Sequence, residues 1–272
     1  MKVNETHIGF MGFGHMAQIL FQGIDRARIV PRSRISFLQR DTVKMRQNAQ
    51  KFGITSTGLE HLVQGSQLLI LGMRPEQAEK ALRELSLVGG LEGKWIVSIL
   101  AGTKIDFFQK HLGREAKILR VMPNLASQVG EGMSMLSYSA SCDSAFKTVG
   151  NLLFASVGEI AEVPESMMDI ACGIAGSGPG FVFRLIESMA RTGEKHGLDY
   201  RQALKISAQT FAGAARLIAK GSLPSDLLLQ IATPNGTTQA GLDVMMKTEI
   251  DKHFAMAIEA AMHRSKELSE NF

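Results

Sequence analysis

The chain has 272 residues, enough for one large domain or two modest ones, and its 45% hydrophobic content supports a globular core. A net charge of only +4, with 6% aromatic residues and no basic stripe, argues against nucleic-acid binding. Cys142 and Cys172 form no CxxC pair, and no apolar run has the length of a signal peptide or a membrane span. We therefore expect a cytoplasmic protein that contacts neither nucleic acid nor membrane.

The first predicted strand leads into a dinucleotide-binding pattern. An apolar run over Thr6–Phe10 is followed by a turn and a helix that fit GxGxx(G/A) at Gly12, Gly14 and Ala17. Gly12 permits the tight turn, Gly14 lets a pyrophosphate approach the backbone, and Ala17 lets the helix pack closely. The helix N-terminus then faces the anion. The alternative is a glycine-rich turn without a ligand.

Strands and helices alternate through the first half of the chain. Further apolar runs predict strands over Arg34–Gln39, Gln67–Leu71, Trp95–Leu100 and Ala116–Met122, and helices are predicted over Thr42–Phe52 and Pro75–Leu85. This alternation predicts a parallel sheet with helices on both faces. Ligands of such sheets bind beyond the carboxyl ends of the strands. The turns expected to line one crevice are those at Gly12, Gln39, Met73, Ala101 and Pro123.

The end of the second strand indicates which dinucleotide binds. Gln39 and Arg40 stand where an NAD-binding protein places an acidic residue for the ribose 2′-hydroxyl. Arg40 could pair with a 2′-phosphate, which favours NADP, and Asp41 comes one residue late. The alternative is that Arg40 is an ordinary solvated surface arginine.

The second half is predicted to be helical. Long helices are expected over Pro179–His196, Tyr200–Lys220 and Ile250–Leu268, and the rhythm changes near Val163. We therefore predict a dinucleotide-binding domain over 1–163 and a helical domain over 164–272. Apolar surface left over on these helices would form a dimer interface.

Two loops precede helices and offer free backbone N–H groups. They are Gly176–Pro179 and Thr233–Thr238, and each is a candidate site for a small carboxylate or simply a capped helix start. The sequence contains no nucleophile elbow, P-loop or metal-ligand cluster. Hydride transfer, in which a nicotinamide carries the chemistry, is the enzymatic function that remains.

Taken in order, several motifs resemble those of the pyrroline-5-carboxylate reductase family. They are Ile8–Ala17, Met73–Gln77, Ser98–Gly102, Arg120–Asn124 with Val129–Met133, Ala175–Phe183, Thr233–Leu242 and the tail Ala260–Leu268. The resemblance implies an α/β Rossmann-type dinucleotide-binding domain followed by an all-α dimerisation domain. It also implies reduction of 1-pyrroline-5-carboxylate to L-proline with NADPH (NADH possible), in a homodimer that often assembles into larger rings.

The resemblance assigns site residues as well. The implied cofactor-binding residues are Met11, Gly12, Phe13, Gly14, His15, Met16, Arg40, Gly72, Met73, Arg74, Pro75, Ile99, Leu100 and Ala101. The implied substrate-binding residues are Glu165, Gln230, Gly236, Thr237 and Thr238. The amides of Gly236, Thr237 and Thr238 would hold the substrate carboxylate, and the Thr238 hydroxyl would be the proton donor. No metal is expected.

Some positions depart from the family pattern and keep alternatives open. Asn235 replaces a glycine, although Asn tolerates a left-handed backbone, and Leu228 and Leu229 replace polar residues. These changes fit a divergent reductase of another cyclic imine, or a cofactor-binding regulatory protein. A hydroxyacid-dehydrogenase-like enzyme would instead need a catalytic lysine, for which Lys195 and Lys205 are the candidates.

Overall fold

A computed structural model describes residues 3–270 and divides into two compact units. The first unit takes in the chain up to Gly176 and the residues from Ala261 onward, and the second is Ser177–Ala260. The division follows internal contacts and falls later than Val163, so the predicted boundary between functional domains stays a prediction.

Within residues 3–270, the first unit is built on one eight-stranded sheet. The strands are β1 (Ile8–Met11), β2 (Ile35–Leu38), β3 (Thr55–Ser56), β4 (Leu68–Leu71), β5 (Trp95–Ser98), β6 (Lys117–Met122), β7 (Gly132–Tyr138) and β8 (Gly158–Glu162). Their order is β3-β2-β1-β4-β5-β6-β7-β8, and the first six run parallel to one another. The predicted α/β class is confirmed.

The strands that the alternation predicted are confirmed as parallel, and the antiparallel pairing of the sheet comes from β7, which the sequence did not predict. β7 pairs antiparallel with β6, and β8 runs parallel to β7. The link between β6 and β7 is Pro123–Glu131, which contains only a short 3-10 helix over Leu125–Val129. Because a parallel crossover needs about a dozen residues or more, this link can only return the chain antiparallel.

Helices cover both faces of the sheet. α1 (His15–Arg26), α2 (Thr42–Phe52) and α6 (Ser144–Ala155) pack on one face, and α3 (Leu59–Gly65), α4 (Ala78–Val88) and α5 (Ile105–Leu112) on the other. Successive strand residues point to opposite faces, so Phe10 joins the first core and Met11 the second. Burial on both faces explains why the inner strands are continuous apolar runs.

Four neighbouring strands end in register at one edge. Met11 lies beside both Leu38 and Leu71, and Leu71 lies beside Ser98. The backbone continues the ladder for one more residue, because the Gly72 N–H donates to the Met11 carbonyl at 2.9 Å. The predicted turns after these strands therefore lie side by side.

A helical segment follows β8. A 3-10 turn over Glu165–Met167 leads into α7 (Met168–Ala171) and a π-helical turn over Cys172–Gly176. Then come α8 (Gly178–Lys195), α9 (Tyr200–Ala219), α10 (Pro224–Ile231), α11 (Thr237–Lys247) and α12 (Ile250–Glu270). The three predicted long helices are confirmed, with ends that shift by one or two residues. α12 begins in the second unit, and its last residues belong to the first.

The second unit has almost no interior of its own. α8 packs on α9 through small residues, and Ala190, Ala203 and Ser207 are its buried side chains. Large apolar side chains stay exposed on every one of its helices, including Ile206 at 50% and Met246 at 63%. A face of this kind needs a partner to cover it.

No helix within residues 3–270 is both long enough and apolar enough to cross a membrane.

Candidate active site

The glycine-rich turn after β1 is shaped by the neighbouring loop. Gly12 has a φ of +89°, and a Cβ built there would lie 2.7 Å from the Met73 nitrogen and 2.8 Å from the Gly72 carbon. Only glycine fits such a close approach of two backbones. Ala17 is buried and its methyl group lies against Gly72, as the fingerprint predicts.

Gly14 stands in a different environment. It is exposed, and a Cβ built there would have only the Gly72 carbonyl oxygen nearby, at 3.8 Å. Gly14 is the N-cap of α1 and has no side chain to cap it, so the amides of the first turn remain free. The protein itself therefore does not require glycine here. An anion resting on these amides would require it, and a pyrophosphate fits this place.

Two predicted cofactor-binding residues turn their side chains inward. Phe13 is fully buried among the rings of Phe10, Phe21, Phe37 and Phe52. Leu100, only 2% exposed, belongs to the core on the other face of the sheet. Side-chain contact between either residue and a cofactor is therefore excluded, and what they can offer is backbone. Their positions in the core follow from the strands that they continue.

At the end of β2 the acidic residue is engaged in capping the next helix. Asp41 is the N-cap of α2, and its Oδ1 accepts hydrogen bonds from the amides of Val43 and Lys44, both at 3.0 Å. Gln39 is held by the Asn48 side chain at 2.8 Å. Arg40 is exposed, and within residues 3–270 it has no ion-pair partner. A free cation at this strand end suits a phosphate better than a ribose hydroxyl.

Two further loops complete this edge of the first unit. Gly72–Pro75 follows β4, and Pro75 begins a 3-10 helix that continues into α4. The Ile99 N–H donates to the Leu71 carbonyl at 3.1 Å, so Ile99–Ala101 lies next to this loop. Met73 and Ile99 are half-buried, whereas Arg74 and Ala101 are exposed. The structure thus brings the predicted cofactor residues of four loops to one edge of the sheet.

His15 and Met16 open α1. The His15 ring hydrogen-bonds to the side chain of Gln128, which belongs to the 3-10 helix Leu125–Val129. Met16 is half-buried and packs against the core beneath. The imidazole is therefore held beside the free amides of the turn.

The predicted substrate loop in the second unit ends at a helix start. Asn235 has a φ of +60°, so it adopts the left-handed conformation expected of an asparagine in place of glycine. Gly236 is the N-cap of α11, and its N–H donates to the Thr233 carbonyl at 2.9 Å. That amide is therefore engaged within the turn, and its role in holding a carboxylate stays a prediction. The free amides are those of Thr237, Thr238 and Gln239.

The remaining candidates of the second unit lie on its surface. Gln230 is exposed near the end of α10, next to the exposed side chains of Leu228 and Leu229. Lys195 and Lys205 are both exposed on their helices. This exposure fits a solvated helix face for both lysines.

Glu165 is engaged inside the first unit. Its Oε1 accepts hydrogen bonds from the Ile105 amide at 2.7 Å and from the Arg120 guanidinium at 3.0 Å. Arg120 lies on β6 with its side chain only 6% exposed. Sequence reasoning did not give Arg120 a role, although an arginine inside an apolar strand is a signal of a buried ion pair.

Sequence reasoning also gave no role to a second polar residue, Asp169 on α7. Asp169 accepts hydrogen bonds from the hydroxyls of Ser265 and Ser269 on α12, at 2.8 and 3.4 Å. Cys172 lies close by, and burial raises the pKa of its thiol. A raised pKa keeps this thiol protonated at neutral pH, which makes it a poor nucleophile. No local motif announces these contacts, because they join residues far apart in the chain.

Comparison with known proteins agrees with this geometry. A family model described as pyrroline-5-carboxylate reductase dimerisation matches residues 165–268, and one described as NADP oxidoreductase, coenzyme F420-dependent, matches residues 7–102. Pyrroline-5-carboxylate reductase 1 of Bacillus subtilis is 35% identical over 98% of this chain and 91% of its own. This chain belongs to the pyrroline-5-carboxylate reductase family.

Solved pyrroline-5-carboxylate reductases share the fold over nearly the whole chain. The Coxiella burnetii protein is 28% identical with a TM-score of 0.89, covering 98% of this chain and 99% of its own. The Plasmodium falciparum pyrroline carboxylate reductase, solved with NADP bound, is 29% identical with a TM-score of 0.85 over the same shares. The Rossmann-type domain and the helical dimerisation domain expected from the motifs are thereby confirmed.

Proposed function

We propose that this chain reduces 1-pyrroline-5-carboxylate to L-proline, using NADPH as the reductant. The observation that carries the proposal is its similarity to reductases of that substrate over nearly its full length. The free amides at the start of α1 and the free amides at the start of α11 support it, since both ligands carry anionic groups.

The cofactor is assigned to the edge of the first unit. The amides after Gly14 would hold the pyrophosphate, and Arg40 would pair with the 2′-phosphate of NADPH. The loops Gly72–Pro75 and Ile99–Ala101 would hold the nicotinamide half. NADH would bind the same turn without the Arg40 contact, so it remains a possible second reductant.

The substrate is assigned to the start of α11 in the second unit, with Gln230 as a further lining residue. The lining role that the resemblance gives Glu165 stays a prediction. The amides of Thr237 and Thr238 would hold the carboxylate, with the Thr238 hydroxyl directed to the ring nitrogen. The bound nicotinamide would supply the hydride for the imine carbon. Thr238 would pass its hydroxyl proton to the nitrogen and regain one from solvent, so that the C=N bond becomes a C–N single bond with one new N–H. Positioning then supplies most of the rate enhancement, and no strong base is needed.

We propose a homodimer as the working form. The matched dimerisation model spans residues 165–268, and the second unit exposes the apolar side chains that a partner would cover. A cytoplasmic location and a larger ring of dimers remain predictions.

The deciding experiment follows NADPH oxidation optically with and without 1-pyrroline-5-carboxylate. Substrate-dependent oxidation, with proline as the product, supports the proposal. Tight NADPH binding without oxidation would instead favour a reductase of another cyclic imine, or the regulatory alternative.

The Thr238→Ala variant tests the proton donor. We expect kcat to fall by about a hundredfold, a typical contribution of a positioned general acid, with the melting temperature unchanged. Thr248→Ala is the matched control, because Thr248 ends the same helix and its hydroxyl bonds only to the helix backbone. Unchanged turnover in the Thr238 variant would remove this residue from the mechanism.

A further inference from the structure

Beyond the Ile99 amide, which bonds to the Leu71 carbonyl, and the buried Leu100 side chain, the loop that follows β5 has few contacts of its own. The Leu100 amide lies 3.3 Å from the Ser98 hydroxyl, and the Thr103 hydroxyl lies 3.4 Å from the Ala101 carbonyl, both long hydrogen bonds. Ala101 itself is exposed. A loop of this kind needs neighbouring elements to fix the positions of its backbone groups.

One such neighbour is the end of α12. Gly102 is buried with a φ of +72°, and a Cβ built there would lie 3.2 Å from the backbone carbon and from the Cβ of Leu268. The last turns of α12 therefore pack directly against the loop at Gly102. Any movement of this helix end would free Gly102, and with it the preceding residues.

Asp169 holds the end of α12 in place through two hydrogen bonds. Its Oδ1 accepts both the Ser265 and the Ser269 hydroxyl, and these two serines are only 8% and 3% exposed. The two serines are four residues apart on α12, so they share one helix face, and that face meets α7. The neighbouring residue Lys266 is exposed.

The far end of the loop is held by the 3-10 turn Glu165–Met167, which directly precedes α7. Glu165, one turn before Asp169, accepts the Ile105 amide at 2.7 Å, and Ile105 is the first residue of α5. The buried Arg120 balances the Glu165 charge. Residues 165–169 thus hold both the start of α5, where the loop ends, and the end of α12, which packs against the loop.

We propose that Asp169, acting through Ser265 and Ser269, is a positioning residue for the nicotinamide half of the cofactor. The inference rests on the proposed function, which assigns Ile99–Ala101 to that half. Asp169 is not assigned a contact with cofactor or substrate. It keeps the end of α12 against Gly102, and α12 in turn keeps Ile99–Ala101 in the conformation that binds the nicotinamide half.

The test compares two ligands in the full-length protein by isothermal titration calorimetry. NADPH reaches both halves of the site, whereas adenosine 2′,5′-bisphosphate reaches only the Gly14 turn and Arg40. In the Ser265→Ala/Ser269→Ala variant we expect the Kd for NADPH to rise about fivefold or more, the scale of one lost hydrogen bond. The Kd for the bisphosphate should stay within about twofold, as befits a ligand remote from the loop.

Two further variants complete the design. Lys266→Ala changes the exposed side of the same helix and should leave both Kd values unchanged. Asp169→Asn keeps an oxygen acceptor for the serines, so it should recover most of the NADPH affinity that is lost when the acceptor is removed in Asp169→Ala. Should the double serine variant fail to fold, Ser265→Ala alone, which removes the shorter of the two hydrogen bonds, should raise the Kd for NADPH about threefold and leave the Kd for the bisphosphate unchanged.

Equal weakening of both ligands would mean a general structural role and would overturn the inference, as would unchanged binding of NADPH. Both titrations are made without the imine. The two proposals can therefore fail separately. If the serine variants weaken NADPH binding selectively but the wild-type protein oxidises no NADPH with 1-pyrroline-5-carboxylate, the proposed function is refuted and this inference stands.

Discussion

At the scale of single residues, Gly12 and Gly14 separate the demands of the fold from those of the ligand. Gly12→Ala places a Cβ against the Gly72–Met73 backbone at a φ of +89°. We expect the free energy of unfolding to fall by more than about 2 kcal/mol, as for a strained backbone with a clash. Gly14→Ala meets open space, so its cost should stay below about 1 kcal/mol.

Urea unfolding measures these two losses, and calorimetry measures NADPH affinity in the same samples. Gly14→Ala should weaken NADPH binding about tenfold, because the new methyl group stands where the pyrophosphate approaches. A Gly14 variant that binds NADPH like the wild type would show that no pyrophosphate rests on this turn.

Arg40 is the residue on which the choice between the two nicotinamide cofactors depends. Arg40→Ala removes the exposed cation at the end of β2, and Asp41 cannot replace it because its carboxylate caps α2. We expect the KM for NADPH to rise about tenfold or more, the scale of one lost charge-assisted hydrogen bond, and the KM for NADH to change little.

Arg114→Ala is the matched control for Arg40, since it removes the same charge from an exposed loop at the opposite edge of the sheet. Equal losses for both cofactors in the Arg40 variant would contradict the 2′-phosphate contact.

At the scale of elements, the sequence was most informative where periodicity and local motifs decide the structure. The helix Thr42–Phe52 is confirmed at both ends, because Asp41 caps its start and Gly53 ends it with a φ of +64°. β7 was not predicted, because Gly132–Tyr138 mixes serines with apolar residues, so neither the helical nor the strand period is clean there.

The sequence also predicted which loops meet at the crevice, because the carboxyl ends of parallel strands share an edge. It could not predict that Phe13 and Leu100 point into the cores, nor that the Gly236 amide is used within its own turn. Those facts depend on packing and turn geometry rather than on residue type. The contacts of Arg120 and Asp169 join separate elements and leave no local signature.

The link between β6 and the turn at Glu165 is testable by a double-mutant cycle. Arg120→Met leaves the Glu165 carboxylate without its cation, and we expect a loss of about 2 kcal/mol in unfolding free energy. This is below the usual figure for a fully buried pair, because the Glu165 side chain is 29% exposed. Adding Glu165→Gln should recover part of the loss.

Urea unfolding of the four proteins gives the coupling energy between Arg120 and Glu165. The exposed i,i+4 pair Arg83–Glu79 on α4 is the matched control, and its coupling should not exceed about 0.5 kcal/mol. A coupling no larger than that of the control would mean that Arg120 does not hold this turn.

At the scale of the whole molecule, the two units differ in how they are stabilised. The first has two apolar cores on either side of its sheet, whereas the second buries little more than Ala190, Ala203 and Ser207. Because burial of apolar surface is the main favourable term in folding, the second unit needs a partner surface to be stable. Folding and association should therefore be linked.

We accordingly expect the melting temperature to rise with protein concentration, as mass action requires when only the folded state associates. Ile206→Asp combined with Leu217→Asp places two charges on the half-exposed apolar side of α9, and it should shift the protein towards monomer in light scattering. Leu87→Asp is the control, because Leu87 is 87% exposed at the end of α4 in the self-sufficient unit. A concentration-independent melting temperature, with a monomer at every concentration, would mean that the second unit is stable without a partner.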